Sequence, residues 1–593
     1  MTRTPLRPLA RILAARRAGE NPDSIERQNL AERHEAERDM GRARAEGRLL
    51  VLGVAFLCAF ALVGLKMSVI AGSDPVEPRA AASGAQILAA RADITDRNGR
   101  ILATNLTTHA LYAQPPLMID PKRAAVELAK IFPDLDEERL IRQFTGERKF
   151  IWIKRRISPE QQQAVFDIGD PGLLFGPREM RLYPNGQVAA HVLGGAGFGR
   201  EGVSSAEVVG VAGIEKALDA ELRDPGRGDV PLVLSLDLTV QAAVERVLEG
   251  GMRLMNAKGA AAVLMDINTG EIVSLASLPD FDPNDRPQAM VQGEPGDSPL
   301  FNRAVQGVYE LGSTYKIFTI AQGIEEKIVS RSTMVDIQGP LRWGKYKIRD
   351  FRNYGKALSV EDVIVKSSNI GTARIAQKIG AERQQAFLGD LGLLNKMPIE
   401  LVEARGAHPL VPKKWSEIST MTISYGHGIS ASPLHLATAY STLLNGGLKV
   451  EPTLLKRDYP TAGPRVLSAD TSQQAREMLR EVVTRGTASF GEVPGYRVGG
   501  KTGTADKPKP TGGYYEDKVI ATFASVFPVD DPKYVLIVTL DEPVETSGKE
   551  PRRTAGWTAV PVAAEVIRRV APLLGLAPGV EPAPPTGVTL ARN

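Results

Sequence analysis

The stretch YELGSTYKIFT, Tyr309 to Thr319, is the one on which the reading of the whole chain depends. Ser313 and Lys316 stand three apart, and Gly312 before an apolar-periodic run predicts a helix that begins at Ser313. One turn of that helix puts both side chains on the same face. A serine hydroxyl is a poor nucleophile and needs an adjacent base. A lysine serves as that base where burial or a neighbouring cation lowers its pKa. The start of the helix also leaves backbone N–H groups free to hold an oxyanion. Alone, Ser-x-x-Lys is common, and the bland reading is a polar helix face.

Two further stretches change that balance. Ser367-Ser368-Asn369 lies between helical patterns at Val360 to Val365 and Thr372 to Ile379. Its hydroxyl and amide suit a proton relay and a grip on a substrate amide, although such a sequence on its own reads as a cap or turn. The third stretch is GGKTGTA, Gly499 to Ala505. Gly499, Gly500 and Gly503 on a strand let another backbone come close, as an added peptide strand requires. Lys501, Thr502 and Thr504 offer a cation and two hydroxyls to a carboxylate. The letters GYRVGGKT also fit a phosphate loop, but TGTADKPKPTGG follows where that loop needs a helix to open.

The order Ser-x-x-Lys, Ser-x-Asn, Lys-Thr-Gly resembles penicillin-binding proteins and serine β-lactamases, whose single active site these motifs line. From Arg91 to Leu576 the chain is similar to class B penicillin-binding proteins. The likeness extends to RADITDRNGRILA (Arg91 to Ala103), RLYPNGQVAAHVLG (Arg181 to Gly194), GIEKALDAEL (Gly213 to Leu222), MDINTGEIVSLASLPDFDPN (Met265 to Asn284) and SYGHGISASPLHLATAYSTLLNGG (Ser424 to Gly447). The resemblance implies a peptidoglycan D,D-transpeptidase. Ser313 would be acylated by a D-alanyl-D-alanine stem peptide, Lys316 would take its proton, Ser367 would relay it and Asn369 would hold the substrate amide. Lys501, Thr502, Gly503 and Thr504 would form the substrate strand, with the N–H groups of Ser313 and Thr504 as the oxyanion hole. An amine from a neighbouring strand would complete the cross-link, and β-lactams would trap Ser313. Leu311 stands where the family usually has proline, and Ser-Ser-Asn replaces the Ser-Asp-Asn of class A β-lactamases.

Composition narrows the alternatives. The 593 residues exceed one core and suggest two or three domains. A net charge of +4, with no long basic block beyond the N-terminal arm, argues against nucleic acid. The single cysteine, Cys58, rules out an internal disulfide and a Cys-rich zinc site. No cofactor and no metal are expected. His191 and His427 read as packing residues, Asp266 and Asp282 as turn residues, and Arg91, Asp93, Asp96 and Arg97 as partners in ion pairs.

Leu49 to Ala71 is apolar enough to span a membrane if Lys66 snorkels. Arg33, Arg38, Arg42, Arg44 and Arg48 precede it, which places the N-terminus in the cytoplasm and the bulk in the periplasm. A buried core helix and cleavage after Ala71 are the competing readings. Downstream, Asp237 caps a helix, Asn268-Thr269-Gly270 joins a β-hairpin, strands run over Val519 to Val526 and Tyr534 to Leu540, and Ala559 to Leu574 is a helix. The class is α+β. The expected domains are a cytoplasmic arm (1–48), a transmembrane helix (49–71), a linker and mixed α/β pedestal (72–228), a transpeptidase domain (229–576) and a Pro-rich disordered tail (577–593). The resemblance gives the transpeptidase domain an antiparallel sheet flanked by helices.

With no glycosyltransferase stretch, a glycan-polymerising membrane partner is expected. LPDFDPN (Leu278 to Asn284), YELGSTYKIFT and TAGWTAVPV (Thr554 to Val562) look most like division-specific members, which implies division proteins as partners. The competing readings are an elongation-specific transpeptidase and a non-catalytic β-lactam-binding sensor or scaffold.

Overall fold

The computed structural model describes residues 7–72, 91–201, 206–457, 459, 463–509 and 512–579. Most of the expected linker and almost all of the expected tail lie outside them. The chain divides into two compact units, Met1–Ala82 and Ser83–Asn593. In the first, a helix over Arg7–Ala18 precedes a long helix over Pro22–Gly72. Within the long helix, Glu46–Ser68 is long and apolar enough to cross a membrane.

The second unit holds two hydrophobic cores. The smaller gathers Leu111, Leu128, Phe132, Leu140, Phe144 and Ile157, beneath a sheet in which the strand Ile101–Ala113 pairs with both Ile151–Ile157 and Leu173–Leu182. The helices beside it start where sequence chemistry puts them. Ser158 and Gln161 form a reciprocal capping box before Pro159–Phe166.

The larger core runs without interruption across residue 228, from Ile94, Tyr183 and Ile214 to Leu536 and Ile567. Ile94 and Thr95 pair in parallel with Leu232 and Val233. Asp96 and Arg97 strengthen that seam in different ways. Arg97 reaches Glu271 at 2.9 Å, as an ion pair. Asp96 forms no ion pair among the described residues. Its carboxylate accepts N–H groups from Asn98, Arg100 and Leu238, so it serves the backbone.

The centre of the larger core is an antiparallel five-stranded sheet. Its strands are β1 (Gly259–Asp266), β2 (Ile272–Leu278), β3 (Gly499–Pro508), β4 (Tyr514–Phe527) and β5 (Tyr534–Asp541), in spatial order β3-β4-β5-β1-β2. β1 reads GAAAVLMD and is buried along both faces, as a strand covered on both sides must be. Helices α1 (Leu238–Leu254) and α6 (Ala559–Leu573) pack together on the sheet. A helix buried along its whole length, α4 (Pro433–Leu444), also packs on β1 and β5. Helices α2 (Lys316–Glu325), α3 (Asn369–Ile379) and α5 (Ala469–Arg485) build the rest of the catalytic half. The expected cap at Asp237 is present and accepts from Thr239 and Val240. Asp266 holds the expected turn between β1 and β2 through Asn268 and Thr269.

Candidate active site

Ser313 does not begin an α-helix. Gly312–Tyr315 forms a 3₁₀ turn, and α2 starts at Lys316. The difference favours the chemistry, because three residues per turn eclipse positions i and i+3. Ser313 and Lys316 are therefore stacked more directly than an α-helix allows.

Three glycines make room for the turn. Gly312 has φ +56°, and a Cβ there would meet Thr504 O at 2.9 Å. A Cβ on Gly503 would lie 2.2 Å from Leu311 O, and one on Gly426 2.0 Å from Gly312 O. The Ser313 turn is thus clasped between β3 and the 424–428 turn. The Ser313 hydroxyl makes no hydrogen bond among the described residues, and Ser313 lines a cleft of about 520 Å³.

The Lys316 side chain is fully buried. Its Nζ donates to Ser367 O at 2.6 Å and to Ser367 Oγ at 3.0 Å. Lys501 Nζ reaches the same Oγ at 3.1 Å and Thr502 O at 3.0 Å. Two amines therefore converge on one hydroxyl. Burial, and then the Lys501 charge, push Lys316 well below the usual lysine range, with Asp350 opposing. Burial alone brings Lys501 down to about 7. A lysine so depressed has a free lone pair near neutrality and acts as a base.

Ser367 sits at φ +61°, a left-handed conformation that a non-glycine residue adopts at some cost. Its neighbours hold it there. Ser368 caps α3 by accepting from Gly371 N, and its hydroxyl donates to Asp350 at 2.7 Å. The other Asp350 oxygen accepts N–H groups from Asn369 and Ile370 at 2.6 and 3.0 Å. Asn369 donates its amide to Arg349 O at 2.9 Å and still lines the cleft. Asp350 escaped the sequence reading, since nothing in the loop that carries it marks it as a cap for a helix that begins 19 residues later.

On β3, Lys501 is buried and turned toward Ser367, so its charge reaches the cleft only through Ser367 and Thr502. The groups that face the cleft are hydroxyls. Thr502 and Thr487 are 2.7 Å apart, and Thr504 accepts from Ala555 N at 2.9 Å. Aromatic side chains of Phe351, Tyr354, Phe490 and Trp557 complete the walls. Thr487, Phe351, Tyr354 and Phe490 were not singled out from sequence, because their own local patterns are unremarkable, and Trp557 was read only as part of TAGWTAVPV, not as a wall of the site.

The β3 glycines receive parts of the protein itself. Gly499 lies under α5, Gly500 against the Phe523 ring, and Gly503 against Leu311. β3 nonetheless ends the sheet order, which leaves its outer edge without a strand partner among the described residues.

His191 is buried edge-on against Phe281, with burial pulling it down to about 4. His427 packs between Tyr425 and Tyr514. Asp282 caps a short turn through Asn284.

Residues 260–567 match the family model described as penicillin binding protein transpeptidase domain, and residues 86–227 match the penicillin-binding protein dimerisation domain. The chain is 35% identical over 560 residues to a probable peptidoglycan D,D-transpeptidase FtsI of Caulobacter vibrioides, with 92% of each protein covered. It is 28% identical over 489 residues to the peptidoglycan D,D-transpeptidase FtsI of Escherichia coli K12, covering 77% of this chain and 80% of the relative. Among solved structures, penicillin binding protein 3 of Mycobacterium tuberculosis complexed with aztreonam superposes with a TM-score of 0.62 at 26% identity, over 83% of this chain and 98% of that one.

Proposed function

Because the chain belongs to the class B penicillin-binding proteins, we propose that its site carries out peptidoglycan D,D-transpeptidation through an acyl-enzyme on Ser313. The observation that carries the residue assignment is the pair of buried lysines on Ser367, one turn from an unbonded serine that faces the cleft.

Lys316, made a readier base by burial, takes the Ser313 proton as the hydroxyl attacks the penultimate D-alanine carbonyl. The N–H groups of Ser313 and Thr504 receive the oxyanion, where fixed donors are most effective. Ser367, held between both amines, passes the proton to the departing D-alanine. Asn369 positions the substrate amide. The terminal carboxylate lies against Thr502 and Thr504, with Gly503 keeping the strand close and the charge of Lys501 behind. An amine from a second stem peptide then attacks the ester. β-Lactams acylate the same serine.

Among the described residues the chain has one helix long and apolar enough to anchor it in a membrane. Our reading puts the arginine-rich arm in the cytoplasm and the catalytic unit in the periplasm, by the bias of positive charge before the span. The division-like segments and the FtsI relatives support septal wall synthesis, with a glycan-polymerising membrane protein and division proteins as partners.

Intact-mass spectrometry after penicillin treatment tests the nucleophile. Wild type gains one penicilloyl mass and Ser313→Ala gains none. An adduct on Ser313→Ala at the wild-type rate would overturn the assignment. For the septal role, depletion is expected to give filaments with stalled septa. Round, swollen cells would point to elongation.

A further inference from the structure

Glu310 stands three residues before Ser313 and is nine-tenths buried. Its Oε1 accepts Gly428 N at 2.9 Å and the Tyr514 hydroxyl at 3.0 Å. Its Oε2 is buried with no hydrogen-bond partner, and among the described residues Glu310 has no ion-pair partner. A half-satisfied buried carboxylate is costly. A structural brace would not need the charge, because a glutamine oxygen could also accept from Gly428 and Tyr514. Both donors to Glu310 are uncharged groups, so no cation answers its carboxylate among the described residues.

The neighbours share this character. His427 packs on the Tyr425 and Tyr514 rings, at 5.5 and 6.3 Å between centroids, and its Nδ1 is also buried without a partner. Burial, and next the Glu310 charge, push Tyr425 and Tyr514 up to about 12, so both phenols stay protonated as donors. None of these four residues lines the cleft that contains Ser367, Asn369 and Thr502. They are still joined to the nucleophile turn. Glu310 precedes it in the chain, and Gly426 lies against Gly312 O so closely that a Cβ would sit 2.0 Å away. The nucleophile thus has a donor cleft and a separate acidic flank.

A cross-linking enzyme must also receive an amine that arrives protonated. We propose that Glu310 is the receiving group for the acceptor ammonium, and that the Tyr514 hydroxyl holds that place until the acceptor displaces it. Tyr514 suits this, since the residue is 43% exposed and its hydroxyl is a donor without charge of its own. An ammonium gives a stronger, charge-assisted bond to the same oxygen. One ammonium proton passes to the Glu310 carboxylate. The freed amine attacks the acyl carbonyl, the C–N bond forms and the C–Oγ bond to Ser313 breaks. A second proton moves from nitrogen through Lys316 to Ser313 Oγ, and Glu310 returns its proton to water. Charge and atoms balance with no further reactant.

The inference rests on the transpeptidase reading, so the test separates the two. The full-length enzyme in detergent is given a D-alanine-type thioester as donor. Two acceptors compete for the acyl-enzyme, D-alaninamide as a cationic amine and hydroxylamine as a neutral one. The measured quantity is the ratio of transfer to the cationic over the neutral acceptor, from which any change in acylation cancels. Glu310→Gln is expected to lower this ratio roughly tenfold, and Tyr514→Phe to hold or raise it. An unchanged ratio in Glu310→Gln overturns the proposal. So does an equal fall in Tyr514→Phe, which would mean that the contact only braces the fold. Absence of any acyl-enzyme on Ser313 in wild type would instead defeat the transpeptidase reading itself.

Discussion

Two clusters of buried charge behave in opposite ways. In the pedestal, Glu215 is wholly buried and receives Arg91 at 2.6 Å and Arg181 at 2.7 Å, while Arg91 also reaches Asp219 at 2.7 Å. Every charge there has a partner of opposite sign. At the candidate active site, Lys316 and Lys501 are buried around a neutral hydroxyl, and the Lys501 charge presses on Lys316. Paired burial makes a rigid joint. Unpaired burial makes a base, because the only relief open to a buried cation without a counter-ion is to lose its proton.

The largest effect should come from removing the base. Lys316→Ala is expected to slow penicillin acylation by ~1000-fold or more, with thermal stability largely kept since no ion pair of Lys316 is broken. Stopped-flow labelling with a fluorescent penicillin, beside a thermal melt, measures both. A large stability loss would show that Lys316 is as structural as the pedestal arginines.

The reciprocal experiment is Glu215→Ala. It leaves Arg91 and Arg181 buried without their carboxylate, at a cost of about 3–5 kcal/mol, read as a lower urea midpoint. Acylation per folded molecule should hold, and a matching catalytic loss would erase the contrast between the clusters.

The pH dependence sharpens it further. Lys501 titrates at about 7 when folded, against 10.5 for a free lysine. Between those values the unfolded chain binds more protons than the folded one, so stability rises with pH, by up to about 1.4 kcal/mol per unit for one such group. Below about 7 that slope disappears. Lys501→Met should flatten the rise, as measured by urea midpoints at stepped pH. An unchanged slope would place the depression elsewhere.

The smallest change belongs to the rim. Thr487→Val removes the hydroxyl beside Thr502 and should cost about 1 kcal/mol, a several-fold slower acylation in the same labelling assay. A loss as large as that of Lys316→Ala would make Thr487 part of the proton path.

Local signals proved readable and distant ones did not. Asp237 as a cap, Asn268-Thr269-Gly270 as a turn and Ala559 to Leu574 as a helix follow from chemistry within a few residues. The three motifs could be read as one site only through their order, which resembles that of penicillin-binding proteins. The 3₁₀ form of the Ser313 turn was not, since it depends on how Gly312, Gly426 and Gly503 interlock across nearly 200 residues. The direction of Lys501, the Asp350 cap and the union of the two sides of residue 228 into one core are likewise tertiary. An ion pair such as Arg97 with Glu271 can be suspected from composition, but its partner cannot be read before the chain is folded.

The interlocked glycines also bear on how a lineage could escape an inhibitor. A side chain introduced at position 312, 426 or 503 would strike backbone belonging to another of the three stretches, so a single substitution there needs compensation in at least one other place. Adaptive changes are therefore channelled outward, to Phe351, Phe490, Trp557 and the threonines of the cleft wall. A compound that draws its affinity from those side chains offers selection many one-step answers. One that draws it from Ser313 and the clasped backbone leaves very few.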